Sequence, residues 1–178
     1  MNLYAIQLEV LLVILGVTVL LADAFRPVAD RRALGVLLGT LVGVLFLYSF
    51  ALRPVEEPVF HGMYRLDAFA LYFKRLFLVA TALVLVISAE FAPRIEAGVA
   101  EFYSLMLFAA TGMLLIASVN DFILLFVALE LVTITFYILA SYLRRQIPSL
   151  EAGTKYLILG ALSSGFTVYG IAYIFGTT

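Results

Sequence analysis

A carboxylate in the middle of an apolar helix needs a chemical reason, and this sequence has one. Glu130 stands inside the apolar stretch Phe122–Leu143, nine residues beyond Asp121. At about 1.5 Å per residue it sits ~13 Å deep, close to the middle of a ~30 Å hydrocarbon core. A charge there costs about 2.5–3.5 kcal/mol on insertion scales, so it needs a partner, a water or a proton. Phe126, Thr133, Tyr137 and Ser141 share its helical face, so Glu130 heads a polar stripe. The chemistry this suggests is proton transfer. The competing account is a protonated glutamate in a structural interhelical hydrogen bond.

Lys155 is the second candidate. It follows Glu151 by four residues, at the start of the next apolar stretch. Two accounts fit: an ammonium reaching the headgroups along its own stem with an i,i+4 contact to Glu151, or a partner in proton exchange. The remaining charges read as less chemical. Lys74 and Arg75 lie two turns into the third apolar stretch, where snorkelling is expected, with a pair to Asp67 or to another helix as the alternative. Glu9 reads as a subunit contact, Glu101 and Asp121 as helix-end residues, and His61 as a solvated loop histidine.

Composition sets the solvent of these groups. Of 178 residues, 65% are hydrophobic and 13% charged, with a mean hydropathy of +1.13. A soluble domain carries about 25% charged residues, so this is an integral membrane chain. Lys+Arg number 11 against 12 Asp+Glu, which leaves no basic surplus for nucleic acid. Cysteine is absent and histidine occurs once, so disulfides, thiolate chemistry, iron–sulfur ligation and a histidine metal cage have no ligands here. Neither G-x-G-x-x-G nor G-x-x-x-x-G-K-[ST] occurs. Redox and phosphoryl chemistry therefore lie outside this chain, and no cofactor is expected within it.

Six stretches are long enough to span a membrane: Leu3–Ala22, Ala33–Leu52, Asp67–Ala89, Glu101–Val119, Phe122–Leu143 and Ala152–Phe175. The fold class is therefore an all-α polytopic helix bundle. The first stretch contains Glu9 and lacks a cationic n-region or a small-residue cleavage site, so it reads as a retained helix and not a signal peptide. The short Asn120-Asp121 turn makes spans four and five antiparallel neighbours, and Pro148 falls in the connection before span six. One side of the loops holds Arg26, Arg31, Arg32, Arg94, Arg144 and Arg145, the other Arg53 and Arg65. The positive-inside rule then places the N-terminus outside. Gly35, Gly39 and Gly43 form a small-residue face on span two; Gly160 with Ser164, and Ala161 with Gly165, do so on span six. The chain stops at Thr178 with almost no polar tail, and reads as readily as a truncated product as a complete one.

Two stretches carry a family resemblance. One is Ala128-Leu129-Glu130-Leu131-Val132-Thr133-Ile134 running to Tyr137; the other is Glu151-Ala152-Gly153-Thr154-Lys155-Tyr156, followed by Leu159 to Gly165 and Tyr169-Gly170. Asp67 to Lys74 adds to them. Together they resemble subunit N of bacterial proton-pumping NADH-quinone oxidoreductase, respiratory complex I, over its relatives, subunits L and M. That family has about fourteen helices with inverted five-helix repeats, and only its N-terminal part is matched. The resemblance implies an opening three-helix segment over 1–98 and an incomplete first antiporter-like repeat over 99–178. It implies proton transfer through Glu130 and Lys155, in a multi-pass subunit of the bacterial inner membrane. Its partners would be the lipid bilayer and the other membrane-arm subunits, with NADH, FMN, iron–sulfur clusters and quinone held elsewhere in the complex. The alternatives are a subunit of a multi-subunit cation/proton antiporter or membrane-bound hydrogenase, or a truncated structural remnant.

Overall fold

The computed structural model describes residues 3–25, 30–55, 57–95 and 98–177. Arg26, Pro27, Glu56 and Thr178 lie outside the described residues. Six helices are long and apolar enough to cross a membrane. We label them α1 (Gln7–Phe25, preceded by a 3-10 turn at Leu3–Ile6), α2 (Arg31–Tyr48), α3 (Ala68–Phe91), α4 (Val99–Ala117), α5 (Phe122–Ala140) and α6 (Ile147–Thr177). The chain is a multi-pass membrane protein.

Aspartates start three of these helices. Asp30 accepts from Arg32 and Ala33 N–H at 3.0 Å, Asp67 from Ala70 N–H at 2.7 Å, and Asp121 from Ile123 N–H at 2.8 Å. Each satisfies donors that the first helical turn leaves orphaned. Gly98, with φ 81°, occupies the left-handed region ahead of α4, which glycine enters without a Cβ clash. α6 begins earlier than expected because Pro148 sits in its first turn and not in the connection. Proline is tolerated there, since its missing N–H would have no intrahelical acceptor. α5 ends at Ala140, and Tyr142 and Leu143 pass into the connection.

α2 packs on α3, α4 packs on α1, α3 and α5, and α6 packs on α5. Leu8, Leu12, Leu38, Leu78, Leu85 and Leu107 fill the centre. Gly35 and Gly39 let α2 approach its neighbours: Gly35 meets Tyr103 and Ala89, while Gly39 meets Val86 and the Ala82 carbonyl. A Cβ added at Gly43 would meet nothing within 4 Å, and the same holds at Gly165. The expected three-glycine face is thus a two-glycine face. Four-residue steps rotate about 40° each, so two steps carry Gly43 about 80° off the contact line.

The helix ends cluster in two groups. At one end, the 52–67 loop docks on the α4–α5 turn through Arg65 N–H to Ser118 C=O (2.8 Å) and Asn120 N–H to Met63 C=O (2.8 Å). At the other, Arg31 donates to the Ile95 carbonyl, and the Tyr142 hydroxyl to that of Gly98 at 2.5 Å. This alternation is the one that six spans require.

Candidate functional site

α5 and α6 run antiparallel, and small residues bring them together. Gly153 lies against Ser141 and Gly160 against Tyr137, whose ring meets Tyr156 edge-on at 4.9 Å. Further along the same seam the Ser164 hydroxyl donates to Glu130 Oε1 at 2.5 Å. Glu130 is half-buried, and two grooves on either side of the seam share it with Tyr137 and Ser164. One, of about 560 Å³, extends to Ser141, Thr154 and Leu150; the other, of about 410 Å³, extends to Phe126, Thr133 and Thr167. The expected stripe of Phe126, Thr133, Tyr137 and Ser141 therefore lines these grooves. A carboxyl with a hydroxyl donor beside space for water has what proton exchange requires: an acid–base group and a route to it.

Lys155 lies elsewhere. Its ammonium donates to Glu151 Oε1 at 2.6 Å, and the two side chains are 71% and 59% exposed. It precedes Ser164 by nine residues, which on a helix is half a turn around and about 13 Å along the axis. The face of α6 that meets Glu130 is therefore not the face that carries Lys155. Exposed Leu162, Phe166, Tyr169 and Tyr173 accompany Lys155 instead. The structure brings together Glu130, Tyr137 and Ser164; it pairs Lys155 only with Glu151 among the described residues.

A second polar cluster is buried between α1, α3 and the loop before α3, and here the alternative for Lys74, a pair to another helix, holds in place of snorkelling. Lys74 does not snorkel: it is fully buried and donates to Glu9 Oε1 at 2.5 Å and to the Tyr64 hydroxyl. Glu9 is 4% exposed, so it is an internal partner and not a subunit contact. The Tyr64 hydroxyl lies 2.7 Å from Glu9 Oε1 and 3.0 Å from the Ala5 carbonyl oxygen. Burial, and secondarily the Glu9 charge, push the Tyr64 phenol well above the usual tyrosine range. Arg75 turns away to the Ser49 carbonyl at 3.1 Å and the Phe50 ring. Asp67 caps α3 and does not pair with Lys74. The signal is present in the sequence. Glu9 and Lys74 each lie six residues into parallel helices that start at Leu3 and Ala68, so opposite charges sit at equal depth, about 9 Å.

A third polar place is a cavity of about 530 Å³ at the end that gathers Arg94, Glu101, Tyr142, Arg144 and Arg145. The Tyr142 phenol is pushed up to about 12 there, chiefly by burial and next by the Glu101 charge. Among the described residues no group of three His, Cys, Asp or Glu side chains could hold a metal ion.

The site is thus a helix-embedded carboxyl at a seam of small residues, within a membrane helix bundle. Residues 119–178 match the family model described as "NADH:quinone oxidoreductase/Mrp antiporter, TM". More particularly, the chain is similar to part of NADH-quinone oxidoreductase subunit N from several organisms. It is 39% identical to that subunit of Trichlorobacter lovleyi, over 99% of this chain and 36% of the relative. Against the subunit of Heliobacterium modesticaldum it is 37% identical, over 100% of this chain and 38% of the relative. The chain thus spans little more than a third of the relatives it matches. It superposes on a chain of respiratory complex I from Thermus thermophilus with a TM-score of 0.74 and 27% identity, covering 98% of this chain and 37% of that one. A chain of an archaeal membrane-bound sulfane sulfur reductase shares the fold, with a TM-score of 0.75 at 21% identity over 98% of this chain and 38% of that one.

Proposed function

We propose that this chain forms the N-terminal part of a proton-translocating membrane-arm subunit of NADH-quinone oxidoreductase, with Glu130 as its proton-transferring group. The observation that carries the reading is the Glu130–Ser164 seam, where a carboxyl near mid-span meets a hydroxyl donor and two grooves. Low dielectric penalises the charged form of a carboxyl, and a nearby cation restores it. Moving such a cation towards or away from Glu130 therefore changes its hold on a proton. Lys155 is paired with Glu151 on the other face of α6. In this reading it modulates charge on the far face of α6, towards whatever helix packs there. Residues 1–98 form the opening three-helix segment and 99–178 open the first antiporter-like repeat.

Transport against 100 mV takes about 2.3 kcal/mol per charge, so the chain depends on redox energy from elsewhere. NADH, FMN, iron–sulfur clusters and quinone belong to other subunits of the enzyme, and this chain contributes no redox step. The setting is the bacterial inner membrane, with the arginine-rich loops cytoplasmic and the N-terminus outside. A second reading, a subunit of a cation/proton antiporter, is favoured by the family model that spans α5 and α6.

The test is a pair of substitutions in the full subunit within its complex. Glu130→Gln keeps size and hydrogen bonding and is expected to assemble yet lower proton translocation; Glu130→Asp, which stays ionisable, is expected to be milder. A structural role predicts the opposite order. Normal pumping by Glu130→Gln with failed assembly of Glu130→Asp would make Glu130 a packing residue. Sodium-driven transport that does not require NADH oxidation would favour the antiporter reading.

A further inference from the structure

The buried Glu9–Lys74–Tyr64 cluster takes no part in the seam at Glu130, yet its third member reaches the turn from which α5 begins. Tyr64 pairs its backbone with Val59 on one side and Val119 on the other. Its chain neighbours bind the same turn: Arg65 N–H donates to the Ser118 carbonyl, Asn120 N–H to the Met63 carbonyl, and Asn120 Nδ2 to the Gly62 carbonyl at 2.7 Å. Asp121 then caps α5, and nine residues of helix lead to Glu130. We propose that Glu9, Lys74 and Tyr64 are positioning residues for Glu130: the buried ion pair holds Tyr64, Tyr64 holds the α4–α5 turn, and the turn sets the depth and rotation of α5. The proposal rests on the reading of Glu130 given above.

Energetics separate this role from simple stabilisation. Desolvating two charges offsets most of their attraction, and replacing a buried pair by apolar residues of similar size is often neutral or stabilising. Removing one partner alone is destabilising, because the other is left buried and unpaired. A buried pair is therefore a poor source of stability but a strict geometric constraint. Lys74 Nζ has both Glu9 Oε1 and the Tyr64 hydroxyl within bonding distance, which leaves the tyrosine ring little freedom. Lys74 also lies over that ring, 4.9 Å from its centroid. The α5 helix is rigid along its axis, so a displaced turn displaces Glu130 relative to Ser164 on α6. Among the described residues Glu9 Oε2 is buried without a partner, so the cluster has acceptor capacity left.

The experiment uses the full subunit in its assembled complex, with Glu9→Leu/Lys74→Met and Tyr64→Phe compared with wild type. Three quantities are read: the amount of assembled complex, protons translocated per NADH oxidised, and the rate at which an apolar carbodiimide modifies Glu130. Both variants are expected to assemble, because one removes both charges and the other keeps its ring. Translocation per NADH and the modification rate at Glu130 are each expected to change by about two- to thirtyfold, the range of coupling through packed residues. Unaltered translocation in either assembled variant overturns the proposal. So does loss of assembled complex with unaltered protons per NADH, which is a structural role. Reduced translocation with unaltered modification of Glu130 also overturns it, since the cluster would then act on the proton itself. Failure of the double variant to assemble leaves Tyr64→Phe to decide by the same criteria, and failure of Tyr64→Phe to assemble makes the hydroxyl a folding determinant and sinks the proposal. Glu130→Gln in the same preparation keeps the two readings apart: if it translocates normally, the reading of Glu130 fails; if it is impaired while the cluster variants are normal, only the positioning role fails.

Discussion

Gly39 and Gly43 are one helical step apart on α2, yet an added methyl should act on them in opposite directions. At Gly39 a Cβ would lie 2.5 Å from Val86 Cγ2 and 3.1 Å from the Ala82 carbonyl oxygen. The valine can rotate; the carbonyl belongs to the α3 backbone and cannot. α2 and α3 must therefore separate, and overpacking of this kind costs about 1–3 kcal/mol. At Gly43 the methyl meets nothing within 4 Å. There alanine gains its helix propensity over glycine, up to about 1 kcal/mol. Alanine gains that propensity at Gly39 as well, so the two alanine variants should differ by the overpacking cost alone, about 1–3 kcal/mol. Gly39→Leu should be worse than Gly39→Ala and lower assembly while leaving insertion intact. The assay is denaturant-driven unfolding of the full subunit in mixed micelles, followed by circular dichroism and compared with wild type. Equal losses at Gly39 and Gly43 would refute the reasoning, because they would show that the whole stripe is packed.

Three other expectations test separate parts of the structure. Tyr142→Phe removes the bond to the Gly98 carbonyl and should cost about 1 kcal/mol. Because burial holds the Tyr142 phenol protonated to about 12, the unfolded chain ionises first, near pH 10. The folded state then binds the extra proton, so this contribution is complete below pH 10 and is lost as pH rises through about 12; the stability advantage of wild type over Tyr142→Phe should be constant below pH 10 and fall away only in that window. Lys155→Met should change stability by less than about 0.5 kcal/mol, since the pair with Glu151 is exposed and of the i,i+4 kind; a large loss in unfolding experiments would mean Lys155 packs against another helix. In this cysteine-free chain, a cysteine at His61 should react with an impermeant label from outside only and one at Arg144 from the cytoplasm only, and labelling of both from one side would defeat the six-span topology.

The spans are legible because the bilayer demands about 20 apolar residues in a row, a requirement that acts on sequence alone. The aspartate caps are legible for a related reason: a cap acts within three residues, so Asp67 and Asp121 announce α3 and α5 without help from tertiary structure. The Glu130 stripe follows from helical period. What sequence does not supply is register. Ser164 reads only as a small packing residue, because its role depends on which face of α6 meets α5 and at what height. Gly43 misleads for the same reason, its rotation having drifted off the contact line. Lys74 misleads by a different route. A lysine two turns into a span usually has a way out to the headgroups, and only the equal depth of Glu9 on a parallel helix points to an internal partner.

The buried Glu9 and the half-buried Glu130 show why one of them is the better candidate for moving protons. Glu9 has a permanent counter-charge at 2.5 Å and a phenol at 2.7 Å, and the site is sealed among leucines. Its charge is compensated in place by Lys74. Glu130 has a neutral donor, Ser164, and among the described residues no ion pair. Its surroundings are grooves that carry Thr133, Ser141 and Thr154 hydroxyls. A carboxyl so placed can be neutralised only by a proton, or by a cation brought to it from outside the seam. In the proposed reading the two carboxyls have opposite tasks: at Glu9 compensation is built in by Lys74, whereas at Glu130 it is left to be supplied, which is the condition a translocating site must meet.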